Sequence, residues 1–272
     1  MTARASIDAR PLVGRRVVIT RAAVQASAFA RLLTDAGARV IEAPTIVIEP
    51  PETWQPLDDA LDRLSAFPWV IFTSVNGVAM VDARLAHRGL GWTALGAARV
   101  AAIGPATAAA LEAHGVRADV VPEEYRAEGL VERLRELVRP GEALLLPRAA
   151  QTRDVLVTEL VRLGARVSEV PAYRTRPIAE AGGRLRAALE RGEVDVVTFT
   201  SSSTAAGFAA LFTDAERARL LAGVTIASIG PITAATAASF GLTTRIIPDE
   251  YTVPALARAI VEYFSGRAER SG

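Results

Sequence analysis

The chain is 272 residues long, half of them hydrophobic, with a formal net charge of +1 and no cysteine. That length suggests about two domains, each able to bury an ordinary core. The balanced charge argues against a nucleic-acid grip, which shows as a basic patch or stripe, and the lack of cysteine excludes disulfides, thiolate nucleophiles and Cys-ligated zinc.

The opening segment, 1–14, alternates arginine with small residues and has no apolar core of the signal-peptide kind. The longest apolar stretch, around 100–111, runs for about twelve residues, against the roughly 20 that a membrane-spanning helix needs. A cytoplasmic protein with no membrane or nucleic-acid partner is expected. All 31 basic residues are arginine. Genomic base composition explains that readily, although arginine also suits a substrate rich in carboxylates because its planar fork binds them in pairs.

In chain order, β-prone runs at 17–20, 40–43, 69–73, 99–103 and 119–121 alternate with helical stretches such as 28–36 and 106–114. The pattern then repeats. Strands are expected at 143–147, 167–170, 195–200, 225–229 and 244–247, with helices over 130–138, 155–163 and 232–240. The repetition reaches single residues. Phe72-Thr73-Ser74 returns 127 residues later as Phe199-Thr200-Ser201. Ile103-Gly104-Pro105 returns as Ile229-Gly230-Pro231, and Pro122-Glu123-Glu124-Tyr125 as Pro248-Asp249-Glu250-Tyr251. Gly37-Ala38-Arg39-Val40 matches Gly164-Ala165-Arg166-Val167, and Arg21 pairs with Arg148. Ordered matches at nearly constant spacing imply an internal duplication.

Strand–helix alternation gives a parallel sheet covered on both faces, so the fold class is α/β, as two flavodoxin-like five-stranded domains. Two proline-bounded segments, 45–50 and 172–177, stand at equivalent places and read as a two-stranded antiparallel linker. If both cross, one domain is continuous, 46–175, and the other combines 1–45 with 176–272. A simple split near residue 140 is the rival division.

In open α/β sheets, ligands bind beyond the carboxyl ends of the strands. The repeated motifs fall there. In Ile-Gly-Pro-x-Thr, Gly104 or Gly230 would permit a tight turn and proline would take the first helical position. The free first-turn amides, with the Thr107 or Thr233 hydroxyl, would then attract an anion. Phe-Thr-Ser builds a second helix start, with Ser74 or Ser201 as N-cap and Ser202 beside it. Each of these residues alone could be a mere cap. As a set, four helix starts facing one inter-domain cleft would suit a ligand with several carboxylates.

No conventional catalytic set is visible. His87 and His114 read as surface residues near helix ends. Metal-ligand spacing and a Gly-x-Gly-x-x-Gly loop are both absent, so no cofactor is expected. The acidic pairs at 123–124 and 249–250 read as charge complementing a helix dipole. Tyr173, in the second proposed crossing, could present its hydroxyl as a proton donor, or could simply pack as a hinge aromatic.

The motifs Phe-Thr-Ser-x-Asn-Gly-Val at 72–78, Ile-Gly-Pro-x-Thr-Ala twice, Tyr-Arg-Thr at 173–175 and the closing Tyr251 segment resemble the uroporphyrinogen-III synthase family. The resemblance spans about 13–265. It implies two α/β domains joined by a two-stranded linker, with the N-terminal segment completing the C-terminal domain. It further implies hydroxymethylbilane as substrate and uroporphyrinogen III as product, without metal or cofactor. Carried over by motif, Ser74, Thr107, Ser201 and Thr233 would line the cleft, and Tyr173 takes the acid position. Asn76 stands where many members have a basic residue; Arg21, Arg148, Arg174 or Arg176 would supply a charge instead. The expected state is a monomer, with a transient contact to hydroxymethylbilane synthase. A hinged sensor of a small anion and a two-domain glycosyltransferase are the competing readings.

Overall fold

Short runs of β-branched and aromatic residues set the strands, and their period of two divides each strand between two cores. The structure, a computed structural model, describes residues 10–151 and 155–268. Its strands are β1 (Arg16–Ile19), β2 (Arg39–Glu42), β3 (Ile46–Glu49), β4 (Trp69–Phe72), β5 (Arg99–Ala102), β6 (Ala143–Ala149), β7 (Arg166–Pro177), β8 (Val196–Phe199), β9 (Thr225–Ser228) and β10 (Thr244–Ile246). They form two five-stranded sheets, ordered β10-β9-β8-β1-β2 and β3-β7-β6-β4-β5. Contacts divide the chain into two compact units, one holding the residues up to Val47 and from Arg176 onward, the other Ile48–Thr175.

In the first unit the pairings β1–β2, β1–β8, β8–β9 and β9–β10 are all parallel. Read from β2, the order is first repeat, first repeat, then three strands of the second repeat. Val17, Ile19 and Val196 face a core with Phe29, Leu33, Leu256 and Ile260. Val18, Val197 and Phe199 face the other side, with Leu185, Phe208 and Leu220. Central strands buried on both faces need such continuous apolar runs. The one polar residue of β8, Thr198, is fully buried and donates its hydroxyl to the Val18 carbonyl at 2.9 Å, which removes the penalty of an unmet buried donor.

The second unit repeats the plan with its sources exchanged. Strands β6 and β7, from the second repeat, lie beside β4 and β5 of the first, again parallel. Val70 and Phe72 pack with Leu57, Val81 and Leu85; Trp69 and Ile71 pack on the opposite face with Leu130, Leu134 and Leu160. The run at 119–121, expected as a fifth parallel strand, is a single bridge from Ala101 to Val120. The cause is local: the Val100 N–H on that side is taken by the Asp119 carboxylate at 2.7 Å instead of by a ladder carbonyl.

The repeated Gly-Ala-Arg-Val has a backbone reason. Gly37 and Gly164 sit at φ 97° and 86° between a helix and the following strand, a left-handed conformation that disfavours side chains. The run at 172–177 belongs to β7, which is longer than the strand expected at 167–170 and shifts register between Arg148 and Ala149 of its partner.

Candidate functional site

The repeated motifs come together because equivalent strands pair in equivalent register. In the second unit Phe72 lies opposite Ala102, and the Ile103 N–H donates to the Phe72 carbonyl at 3.0 Å. In the first unit Phe199 lies opposite Ser228, and the Ile229 N–H donates to the Phe199 carbonyl at 2.9 Å. Each sheet therefore delivers a Thr-Ser turn and a Gly-Pro turn side by side at its carboxyl edge. The helices that leave them, Val75–His87 with Pro105–Glu112 and Ser202–Ala209 with Pro231–Ser239, also pack on one another.

Ser74 is the N-cap of its helix and accepts from the Gly77 N–H at 3.0 Å. Its oxygen also lies 3.0 Å from the Tyr173 hydroxyl. Tyr173 is 8% exposed, its ring packed in the core with Val170, Ala172 and Phe72. So the ring is indeed packed, as one reading of the sequence had it, while the hydroxyl still meets a helix start. Two orientations satisfy the contact. When Ser74 donates to the phenol oxygen, the tyrosine proton remains available to a third group.

Ser201 caps Ser202–Ala209 through a capping box with Thr204. Ser202 makes a 2.8 Å hydroxyl pair with Thr236 of the neighbouring helix, so it ties two helices together. Thr107 and Thr233, at 4% and 5% exposure, are buried in the first turns of their helices. Asn76 is half-buried in the first turn after Ser74.

The reason expected for the two glycines needs correction. Gly104 and Gly230 both have φ −174°, with ψ 175° and 174°. That is extended backbone open to any residue, so conformation does not explain glycine there.

Arg148, 4% exposed at the end of β6, is ion-paired with Glu169 of β7 at 2.7 Å. Its counterpart Arg21 follows β1, where the buried Thr20 donates to the Thr198 carbonyl at 2.6 Å. Burial pushes the Arg21 guanidinium below the ordinary arginine pKa; such a desolvated cation gains more from a carboxylate than a solvated one does. Arg174 pairs with Glu49 at 3.2 Å, and Arg176 donates to the Pro177 carbonyl at 3.3 Å. The two units differ at one informative place. The position equivalent to Tyr173 is Ile46, so the phenol belongs to one unit alone.

His87 is exposed at its helix end, but His114 does have a partner, remote in sequence: its Nδ1 lies 3.2 Å from Asp82 and its ring stacks on Trp92 at 5.4 Å. Glu169 and Thr236 were also missed, because a strand neighbour and a helix neighbour carry no local signal. Among the described residues no helix is long and apolar enough to cross a membrane.

A family model described as uroporphyrinogen-III synthase HemD matches residues 27–258. A uroporphyrinogen-III synthase of Synechococcus elongatus is 38% identical over 258 residues, covering 93% of this chain and 97% of the relative. One from Chlorobaculum parvum is 30% identical over 250 residues, covering 91% and 98%. Among solved structures, a mutant uroporphyrinogen III synthase from the extremely thermophilic bacterium Thermus thermophilus superposes with TM-score 0.66 at 21% identity, covering 93% of this chain and 99% of that one. The Helicobacter pylori protein gives 0.58 at 17% identity, covering 92% and 99%. These two likenesses bear on the fold. Neither an anion sensor nor a glycosyltransferase finds support among these relatives.

Proposed function

This chain belongs to the uroporphyrinogen-III synthase family, and from that premise we propose how its own residues close the substrate, hydroxymethylbilane, to uroporphyrinogen III. The observation that carries the reading is the 3.0 Å contact between Tyr173 and the N-cap Ser74. It sets a proton donor beside first-turn amides of the kind that hold carboxylates.

The Gly77 N–H fixes Ser74, and Ser74 turns its own proton to the phenol oxygen. Tyr173 then gives its proton to the departing hydroxyl of the bilane, so the carbon–oxygen bond breaks and water leaves. The electron pair on the adjacent pyrrole nitrogen fills the gap and produces a protonated azafulvene, whose charge balances the phenolate. Its exocyclic carbon is attacked by the substituted carbon of the last ring, forming a spiro intermediate. That intermediate fragments and recloses with the last ring inverted, and a ring proton passes back to the Tyr173 oxygen, which restores both the pyrrole and the acid. The overall change is loss of water, a lyase reaction.

Hydroxymethylbilane also loses its hydroxyl and closes unaided, giving the symmetric isomer I. The protein's contribution is therefore mainly orientation, worth ~7–11 kcal/mol of barrier in favourable cases. Thr107, Ser201, Thr233 and the free amides beside them supply carboxylate contacts. Arg21, at the end of β1, supplies positive charge, whereas Arg148 at the equivalent place is taken up by Glu169; Asn76 adds a neutral polar contact. Developing charge on the intermediates is stabilised by the same fixed donors. No step of this chemistry calls for a metal or cofactor. A short path from hydroxymethylbilane synthase to a monomeric, cytoplasmic acceptor would limit spontaneous closure.

The test supplies freshly made hydroxymethylbilane to the purified protein and resolves the porphyrinogen isomers. Isomer III should dominate. A product mixture of isomer I alone, as buffer gives, sinks the reading.

A further inference from the structure

We propose that Tyr125 and Tyr251 are positioning residues, whose rings hold the two Gly-Pro helix starts in the geometry that receives substrate carboxylates. The inference rests on the carboxylate role proposed above for those helix starts. Its starting point is the pair of glycines whose extended backbone does not require glycine.

A Cβ added to Gly104 would lie 3.2 Å from Tyr125 Cβ and 3.3 Å from Cγ. A Cβ added to Gly230 would lie 3.1 Å from both Cγ and Cδ1 of Tyr251. At each N-cap a side chain would press on the tyrosine beside it, and glycine leaves that ring undisturbed.

The tyrosines are presented in the same way in both units. The Arg126 N–H donates to the Glu124 carbonyl at 2.7 Å, and the Thr252 N–H donates to the Glu250 carbonyl at 2.8 Å. Each Tyr is therefore the central residue of a three-residue turn. The prolines ahead of the turns, Pro122 and Pro248, are buried, whereas the acidic residues between are exposed and both tyrosines half-buried. The copies have diverged to Arg126 and Thr252 at the last turn position, yet they keep glycine, turn and ring. A ring fixed on the N-cap limits how far the first-turn amides and the threonine hydroxyl can swing. Donors held still before binding lose less freedom when a carboxylate arrives, which is the benefit of preorganisation.

The test uses the full chain and five variants: Tyr251→Phe, Tyr251→Ala, Gly230→Ala, the double variant Gly230→Ala/Tyr251→Ala, and Thr233→Ala as a marker of the helix start. KM and kcat for hydroxymethylbilane, the ratio of isomers III to I, and Tm are read for each. Tyr251→Ala should raise KM about tenfold and lower the isomer ratio, a modest share of the ~100-fold that a small misplacement can cost. Tyr251→Phe keeps the ring and should rescue both values. Gly230→Ala should raise KM by displacing the ring, and the double variant should be no worse than Tyr251→Ala, since the two changes act on one contact.

A Tyr251→Ala protein with lowered Tm but parental KM and isomer ratio would reduce the ring to plain packing and overturn the inference. If that variant does not fold, Tyr251→Leu and Gly230→Ala carry the same test. Raised KM in Thr233→Ala with parental Tyr251→Ala refutes the inference alone. Parental KM in Thr233→Ala refutes the carboxylate role of the helix start, and the inference with it.

Discussion

Replacing Tyr173 by Phe removes one oxygen and leaves the ring in its core cluster with Val170 and Ala172, so packing is preserved. What disappears is the 3.0 Å contact with Ser74. A single net hydrogen bond of this kind is worth ~0.5–1.5 kcal/mol of stability, and Ser74 keeps its Gly77 N–H partner. The loss of a positioned general acid instead costs a factor of ~10²–10⁴ in rate, or about 2.7–5.4 kcal/mol of barrier at 1.36 per tenfold. The two effects are therefore well separated in size. The assay measures kcat on freshly made hydroxymethylbilane, the isomer ratio, and Tm in parallel. The expected result is a small drop in Tm, a large drop in kcat, and more isomer I from substrate that closes unaided. Ser74→Ala, which leaves the phenol without its serine, should fall between Tyr173→Phe and the parent. A Tyr173→Phe rate reduced by less than about tenfold, no more than the hydrogen bond itself accounts for, would refute the acid role.

Thr233→Ala removes a hydroxyl from a residue 5% exposed at a helix start, and should raise KM about three- to tenfold with Tm nearly unchanged; equal losses of Tm and activity would make it a packing residue. Arg217 is buried and donates to the carbonyls of Ala209 at 2.8 Å, Phe212 at 2.5 Å and Phe240 at 3.1 Å. Arg217→Met leaves those acceptors unmet and should cost about 1–3 kcal/mol, read by chemical denaturation, with kcat preserved. Glu216 is held at a pKa of about 2, first by Arg186 and then by the Thr213 backbone N–H. Because the folded pKa is depressed, its stabilising contribution is present above the unfolded value near 4.5 and fades as pH falls toward 2. Arg186→Met should flatten the fall in denaturation midpoint over that window, and an unchanged slope would remove the pair from the acid response.

Much of the local architecture was legible because its causes are local. The alternation of apolar runs marked the strands, and Ser74 and Ser201 cap the helices their motifs suggested. Boundaries moved where a side chain intervened, as Asp119 does when it takes the Val100 N–H. Roles that depend on a remote neighbour were not legible. His114 looked solitary until Asp82 and Trp92 were beside it, and Arg148 looked like an open cation until Glu169 met it from the adjoining strand.

The duplication, the α/β class and the family are properties of the amino-acid order itself, since repeats, periodicity and capping residues are written along one dimension. Which copy's strands share a sheet, why Gly104 and Gly230 bear no side chain, and how a core-packed Tyr173 still reaches Ser74 were decided in three dimensions. Each of those depends on atoms that come within a few ångströms only after strands and helices far apart in the chain have packed.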